Sequence, residues 1–172
     1  IFWRIEPGIQ LTDQTDAEWK RAFELFGLFD VAKGIGDLKS TLAHLRAHPD
    51  CTGKVGSVGY CLGGKLAFLM ATRSDANCNV GYYGVGLEDL LGESDAISSP
   101  LLLHIASEDD YCPKAAQEKI VSGLTGNPLA ICHVYEGQDH AFARIGGAHY
   151  DADAAALANG RSLDLFREVL AT

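Results

Sequence analysis

The stretch Val58–Gly64 reads VGYCLGG, and the rest of the chain can be interpreted outward from it. Its first residues are the end of a short segment, residues 54–59, whose valines and glycines predict a buried strand. Its last residues are the start of residues 62–73, where apolar side chains recur with the spacing of a helix. A residue flanked by glycines between a strand and a helix is typical of the sharp turn called a nucleophile elbow. Cys61 stands at the centre of this turn, and a side chain at Gly59 or Gly63 is expected to clash with neighbouring backbone.

The position of Cys61 suits a reactive thiol. A helix N-terminus favours negative charge, so the turn favours the thiolate over the thiol. The backbone N–H of Leu62 would point towards an oxyanion that develops on a carbonyl attacked by the sulfur. The alternative is that Cys61 is an inert, buried apolar residue, since glycine-rich strand-to-helix turns also occur in proteins without catalytic activity.

Downstream of this turn, strand-like and helix-like segments alternate. Strands are predicted at residues 80–83, 101–106 and 130–135, and helices at residues 114–124 and 153–170. This order predicts an α/β fold with a mostly parallel sheet and helices on both faces. The absence of repeats and low-complexity linkers predicts one domain over residues 1–172.

Helical periodicity also precedes the turn. Asp16 is expected to cap a helix that places Trp19, Phe23 and Phe26 on one face and that Gly27 breaks or kinks. A second helical pattern begins at Val31 and is stopped by His48-Pro49. The C-terminal helix is expected to bury a face that includes Leu163, Phe166 and Leu170.

Composition narrows the classes of function. The chain has 172 residues, 47% of them hydrophobic, and a formal net charge of −9. Such an acidic protein is repelled by phosphate backbones and anionic lipids, which argues against nucleic-acid and membrane partners. The five cysteines are odd in number and irregularly spaced, which argues against a disulfide framework or a zinc site. Reduced cysteines in an acidic chain favour a cytoplasmic location.

Two later loops carry candidate partners for Cys61. The first, residues 106–113, follows a predicted strand and contains the carboxylates Glu108, Asp109 and Asp110. The second, residues 136–144, follows the last predicted strand and contains His140. The carboxyl ends of parallel strands meet at one edge of a sheet, so these loops are expected to converge on the elbow. The order nucleophile, acid, histidine along the chain is that of α/β-hydrolases.

The chain resembles the dienelactone hydrolase (carboxymethylenebutenolidase) family, whose members have the α/β-hydrolase fold. The resemblance rests on GYCLGG at residues 59–64, VGYYGVGL at 80–87, HAFAR at 140–144 and AAALAN at 154–159. It implies Cys61 as nucleophile, His140 as base and Asp109, four residues before a proline, as the orienting acid. It further implies that Arg144 and Arg4 bind a substrate carboxylate, with no cofactor and no metal. A planar guanidinium suits that role because it binds carboxylates through two hydrogen bonds.

The resemblance also implies a reaction. Dienelactone (4-carboxymethylenebut-2-en-4-olide) would be opened to maleylacetate through a Cys-His-Asp triad, without a cofactor. The family has several strands ahead of the elbow that have no counterpart in this sequence, so a longer protein is expected. An exposed sheet edge is then expected to invite association. Three alternatives stay open: hydrolysis of another small ester or thioester, a catalytically silent binding module, and a redox thiol protein.

Overall fold

The computed structural model describes residues 1–171. The helices are α1 (Asp16–Leu28), α2 (Val31–Arg46), α3 (Leu62–Arg73), α4 (Lys114–Leu124) and α5 (Ala152–Leu170). The strands are β1 (Ser57–Tyr60), β2 (Asn79–Tyr82), β3 (Leu101–Ala106) and β4 (Ala130–Tyr135). A 3-10 helix, Leu91–Ala96, lies between β2 and β3.

The four strands form one parallel sheet in the order β1-β2-β3-β4. The parallel sheet with helices on both faces is as the sequence predicts. No strand precedes β1 among the described residues, so β1 lies at an edge of this sheet. All four carboxyl ends point the same way, which brings the loops after β1, β3 and β4 to one side of the molecule.

Side chains of β3 point alternately to the two faces of the sheet, and each face is covered by its own apolar layer. Leu101, Leu103 and Ile105 pack with side chains of α3 and α4 on one face of the sheet. Leu102 and Ala106 face the other way, towards α5. Because both faces are covered, β3 is apolar at nearly every position and its six residues are all buried.

Several element boundaries differ from the sequence prediction by one to three residues. Thr15, and not Asp16, caps α1, because the Thr15 hydroxyl accepts a hydrogen bond from the backbone N–H of Glu18. Gly27 does not break α1, which continues to Leu28. The first strand begins at Ser57, three residues later than predicted, and β2 ends at Tyr82.

Large apolar side chains of α1 and α5 are partly exposed. In α1 only Leu25 is buried, whereas Trp19, Phe23 and Phe26 are 39%, 52% and 43% exposed. The predicted core face of α5 is confirmed for Phe166, which packs against the core, and is wrong for Leu163, which is half exposed. The fully buried side chains of α5 are the small ones of Ala155, Ala158 and Ser162. Among the described residues, no helix is long and apolar enough to cross a bilayer.

Candidate active site

The turn between β1 and α3 holds Cys61 in an unusual backbone conformation, with φ of 54° and ψ of −116°. This left-handed conformation is strained for a residue with a side chain, and it places Cys61 directly before the first turn of α3. The expectation for Gly59 is met, because an added Cβ would overlap the carbonyl oxygen of Gly63. The expectation for Gly63 is wrong, since an added Cβ there meets no atom within 4 Å. Gly64 is the second position of the turn without room for a side chain, because an added Cβ would lie 2.6 Å from the carbonyl oxygen of Tyr82.

Leu62 is the first residue of α3, and its side chain is buried. Backbone N–H groups in the first turn of a helix have no acceptor within that helix, so the Leu62 N–H is free of an intrahelical bond. The N–H of Cys61 itself donates to Tyr82 O at 3.0 Å, which ties the elbow to β2. The elbow therefore combines a thiol with a neighbouring N–H donor of the kind that stabilises an oxyanion.

Asp109 is the carboxylate that meets His140. Its Oδ2 accepts a hydrogen bond from His140 Nδ1–H at 2.8 Å, and the Asp109 side chain is only 1% exposed. Its other oxygen, Oδ1, accepts from the backbone N–H of Tyr111 at 2.8 Å. The adjacent acids lie elsewhere, since Asp110 is exposed and the Glu108 carboxylate pairs with Lys114 at 3.2 Å.

The loop after β4 is fixed around His140 by polar contacts on both sides. The backbone N–H of His140 donates to Asp139 Oδ1 at 2.6 Å. His149 Nδ1 lies 3.2 Å from the carbonyl oxygen of His140 and 3.2 Å from Asp139 Oδ2. Ala141 follows in a left-handed conformation with φ of 65°. These contacts hold the imidazole of a buried histidine in one orientation.

The environment of His140 favours the imidazolium. Burial acts to lower the pKa of His140, but hydrogen bonds and negative charge from Asp109 and Cys61 outweigh it and raise the pKa from 6.5 to about 9. The sulfur of Cys61 and the carboxylate of Asp109 both act on this imidazole, so the three side chains lie close together.

Two tyrosine rings enclose the imidazole. Tyr83 has its ring centroid 5.0 Å from that of His140, and Tyr111 approaches at 4.8 Å with a T-shaped geometry. Tyr83 is buried, and burial raises the pKa of its phenol well above its ordinary value. Tyr111 is 45% exposed. The contact of Tyr111 with His140 was not predicted from sequence. The position of Tyr111, two residues after the acid in the same loop, could have indicated it.

Arg144 lies at the border of this group. Its side chain is 41% exposed, its Nη1 is 3.7 Å from Asp13 Oδ2, and its Nη2 donates to Leu11 O at 3.5 Å. Its positive charge acts on the phenol of Tyr83, which lies against His140. The structure thus brings Arg144 to the neighbourhood of the predicted triad.

Arg4 is placed differently. Its guanidinium donates to both carboxylate oxygens of Asp37 on α2, at 2.6 and 2.5 Å, and it stacks on Trp3 with 4.5 Å to the ring centroid. Both partners line a cavity of about 440 Å³ that also includes Phe29 but none of the three predicted triad residues. The structure does not bring Arg4 to the triad, because local ion pairing with Asp37 holds it on another side of α2.

Three of the other cysteines are wholly or partly buried. Burial raises the pKa of Cys112 to about 12 and that of Cys132 and Cys78 to about 11, so these thiols stay protonated at neutral pH. Within residues 1–171 no three His, Cys, Asp or Glu side chains cluster as metal ligands would.

The amino-acid sequence is similar to those of known proteins from one family. The sequence model of the Dienelactone hydrolase family matches residues 9–170. A protein of Azospirillum brasilense named "Putative carboxymethylenebutenolidase" is 46% identical over 180 residues, covering 99% of this chain and 73% of its own length. A protein of Pseudomonas putida named "Carboxymethylenebutenolidase" is 42% identical over 164 residues, covering 95% of this chain and 70% of its own.

A solved structure supports the same relationship. The crystal structure titled "Putative Dienelactone Hydrolase from Klebsiella pneumoniae subsp. pneumoniae MGH 78578" superposes with a TM-score of 0.71 at 25% sequence identity. The match covers 79% of this chain and 61% of the other, so this chain spans less than two thirds of that protein.

Proposed function

The chain belongs to the dienelactone hydrolase family, and from that premise we propose that it hydrolyses a small anionic lactone through Cys61, His140 and Asp109. The proposed substrate is dienelactone, opened to maleylacetate without a cofactor. The observation that carries the proposal is the buried contact of 2.8 Å between His140 Nδ1 and Asp109 Oδ2, with Cys61 close enough to interact with the same imidazole.

The proposed reaction begins with the Cys61 thiolate. Its sulfur forms a bond to the lactone carbonyl carbon, and the resulting oxyanion accepts a hydrogen bond from the Leu62 N–H. Collapse of this intermediate breaks the ring C–O bond and leaves the acyl group on sulfur. The departing oxygen takes a proton from the His140 imidazolium.

Hydrolysis of the thioester completes the cycle. A water molecule gives a proton to the neutral imidazole of His140 as its oxygen bonds to the carbonyl carbon. The C–S bond then breaks, which restores the thiolate and imidazolium and releases the product as a carboxylic acid that loses its proton to solvent. Asp109 holds the Nδ1–H tautomer throughout, so that Nε2 is the nitrogen that exchanges protons.

Arg144 is proposed to bind the substrate carboxylate, because its guanidinium is part exposed beside Tyr83. We leave Arg4 out of the proposal, since both oxygens of Asp37 already occupy its guanidinium.

The first experiment follows the loss of dienelactone absorbance with the protein and its Cys61→Ala variant. We expect Cys61→Ala to lose hydrolysis by about 10⁴-fold or more, because the nucleophile is removed. Cys132→Ala is the matched control, as it also removes a partly buried cysteine but lies on β4, and it should keep normal activity.

A second pair of variants tests the acid. Asp109→Asn should lower kcat by several orders of magnitude, whereas Asp110→Asn should have little effect because that carboxylate is exposed. Hydrolysis that survives Cys61→Ala would refute the proposed nucleophile. Lack of dienelactone hydrolysis by the unaltered protein would instead favour another ester, a thioester or a silent binding module.

A further inference from the structure

A run of aromatic rings leads from helix α1 to the imidazole of His140. Trp19 and Phe23 are stacked with 5.7 Å between ring centroids, and Phe23 lies 6.2 Å from Tyr111. Tyr111 in turn meets His140 at 4.8 Å. We call the three residues Trp19, Phe23 and Tyr111 the aromatic ledge. It comes from two segments far apart in sequence, α1 and the loop after β3, which the fold places side by side.

The ledge is not part of the core. Trp19, Phe23 and Tyr111 are 39%, 52% and 45% exposed, although large aromatic side chains are usually well covered. Exposed rings that adjoin one another and a buried catalytic histidine offer ring faces to a bound molecule. The exposure is therefore located where a substrate of Cys61 would extend.

The ledge also joins the charged part of the site. The indole Nε1–H of Trp19 donates to the backbone carbonyl of Asp13 at 3.2 Å. The carboxylate of the same Asp13 lies 3.7 Å from Arg144 Nη1. Asp13 thus links the indole of Trp19 in the ledge to the guanidinium of Arg144.

We propose that the aromatic ledge is a specificity subsite that stacks a planar ring of the ester or lactone substrate. This inference rests on the proposed function, and it assigns to Trp19, Phe23 and Tyr111 the selection of a flat unsaturated or aromatic ring over a saturated one. Stacked and edge-to-face ring pairs gain stabilisation beyond the area they bury, which corresponds to roughly two- to tenfold in affinity. A puckered saturated ring of the same size lacks that gain.

The ligands phenylacetamide and cyclohexylacetamide separate stacking from simple burial. The cyclohexyl ring has the larger apolar surface, so burial alone would favour it. Stacking favours the phenyl ring. Amides of this kind also resist attack by a thiol, so binding can be measured without turnover.

The chain contains two tryptophans, which makes the readout direct. Trp3 stacks on Arg4 beside another cavity, so in the Trp3→Phe protein the fluorescence comes from Trp19 in the ledge alone. Titration of this protein should change the Trp19 emission and give phenylacetamide a Kd roughly two- to tenfold lower than cyclohexylacetamide. Equal affinities, a preference for cyclohexylacetamide, or no change in emission would overturn the proposal.

Variants of Phe23 complete the test in the same background. Phe23→Leu keeps the apolar character of the exposed position but removes the ring, and it should abolish the preference for phenylacetamide. Phe23→Tyr keeps the ring and should retain the preference. Leu28→Ala, an exposed apolar residue at the end of α1, is the control and should also retain it. A preference that persists in Phe23→Leu would contradict the ledge, whereas failure of the proposed function would be recognised separately by hydrolysis that does not need Cys61.

Discussion

Cys61 occupies a backbone conformation that any residue except glycine adopts at a cost in free energy. Its φ of 54° and ψ of −116° arise because the chain must turn sharply from β1 into α3. Gly59 and Gly64 relieve the crowding around this turn, since added Cβ atoms there would contact backbone. The strain itself stays on the cysteine, where it exposes the sulfur to the site.

This strain predicts that Cys61→Gly stabilises the fold while it removes the thiol. Relief of a left-handed conformation exceeds the entropic cost of glycine, so we expect the free energy of unfolding to rise by about 1 kcal/mol. Urea denaturation would measure it. Cys61→Ala is the control, because alanine keeps the strain and should give no such increase. An unchanged or lower stability of Cys61→Gly would show that the turn is not strained in solution.

The raised pKa of His140 predicts a particular pH dependence of stability. In the unfolded chain the imidazole has its ordinary pKa near 6.5, whereas in the folded protein the value is about 9. The folded state therefore binds more protons between these values, and the free energy of unfolding should fall as the pH rises from 6.5 to 9. Below pH 6.5 both states are protonated and the full contribution of the imidazolium is present.

Urea denaturation at several pH values, compared with His140→Gln, tests this dependence. Glutamine does not titrate, so the variant should lose that part of the decline between pH 6.5 and 9. Parallel curves for the two proteins would mean that His140 is not held as an imidazolium by Asp109 and Cys61.

At the scale of elements, a buried polar network fastens α5 to the sheet. Ser162 Oγ lies 2.7 Å from the Tyr82 hydroxyl on β2 and 2.9 Å from His104 Nε2 on β3. His104 Nδ1 lies 2.7 Å from the Tyr135 hydroxyl on β4. Burial lowers the pKa of His104 to about 3, so this histidine stays neutral and bridges hydroxyl groups without carrying charge.

We expect Ser162→Ala to destabilise the protein by about 1 to 3 kcal/mol, because His104 and Tyr82 would keep buried polar atoms with fewer partners. Thermal or urea unfolding measures this. Ser122→Ala is the matched control: its hydroxyl donates to Lys119 O on exposed α4, and its loss should change stability by less than about 0.5 kcal/mol. Similar effects for both serines would show that the network contributes little.

Helices and strands with a regular spacing of apolar residues were predictable from sequence. Which face of a helix is buried was harder to predict. The bounds of α3, β3, α4 and β4 follow from apolar periodicity and from flanking prolines and glycines. The buried face of α5 was predicted only in part: Phe166 packs against the core, but small residues and Ser162 fit against the sheet where the larger Leu163 does not. The aromatic face of α1 was predicted, but not that its rings lie exposed. The spacing of apolar residues shows that a helix has an apolar face, but it does not show which other part of the protein packs against that face.

Some residues of the site could likewise be predicted from sequence, and others could not. The convergence of Cys61, the acid loop and His140 could be predicted because the carboxyl ends of parallel strands meet at one edge. The choice of Asp109 over Glu108 and Asp110 came from the resemblance to the family. The position of Arg4 could not be predicted, because its partner Asp37 lies 33 residues away and only the packing of the lead-in on α2 brings the two together. The aromatic ledge was missed for the same reason, since it joins α1 to the loop after β3.

At the scale of the whole molecule, the open edge of the sheet is the feature that bears on association. β1 pairs with β2 alone among the described strands, and Val58 and Tyr60 on it are 49% and 48% exposed. The unpaired backbone groups of an edge strand can pair with a second chain, and the apolar side chains add to the attraction. The net charge of −9 opposes such contact, so salt should promote it.

We therefore predict that residues 1–172 on their own associate through β1 in a concentration-dependent way, and that a charge on this edge reduces the association. Sedimentation velocity at moderate salt should show larger species as the concentration rises, and Val58→Lys should shift them towards the monomer. Leu163→Lys is the matched control, because Leu163 is 50% exposed on helix α5 and not on an edge strand. An equal effect of both lysines would assign the change to altered surface charge in general. A monomer at every concentration would show that charge repulsion and the short length of β1 outweigh its unpaired backbone.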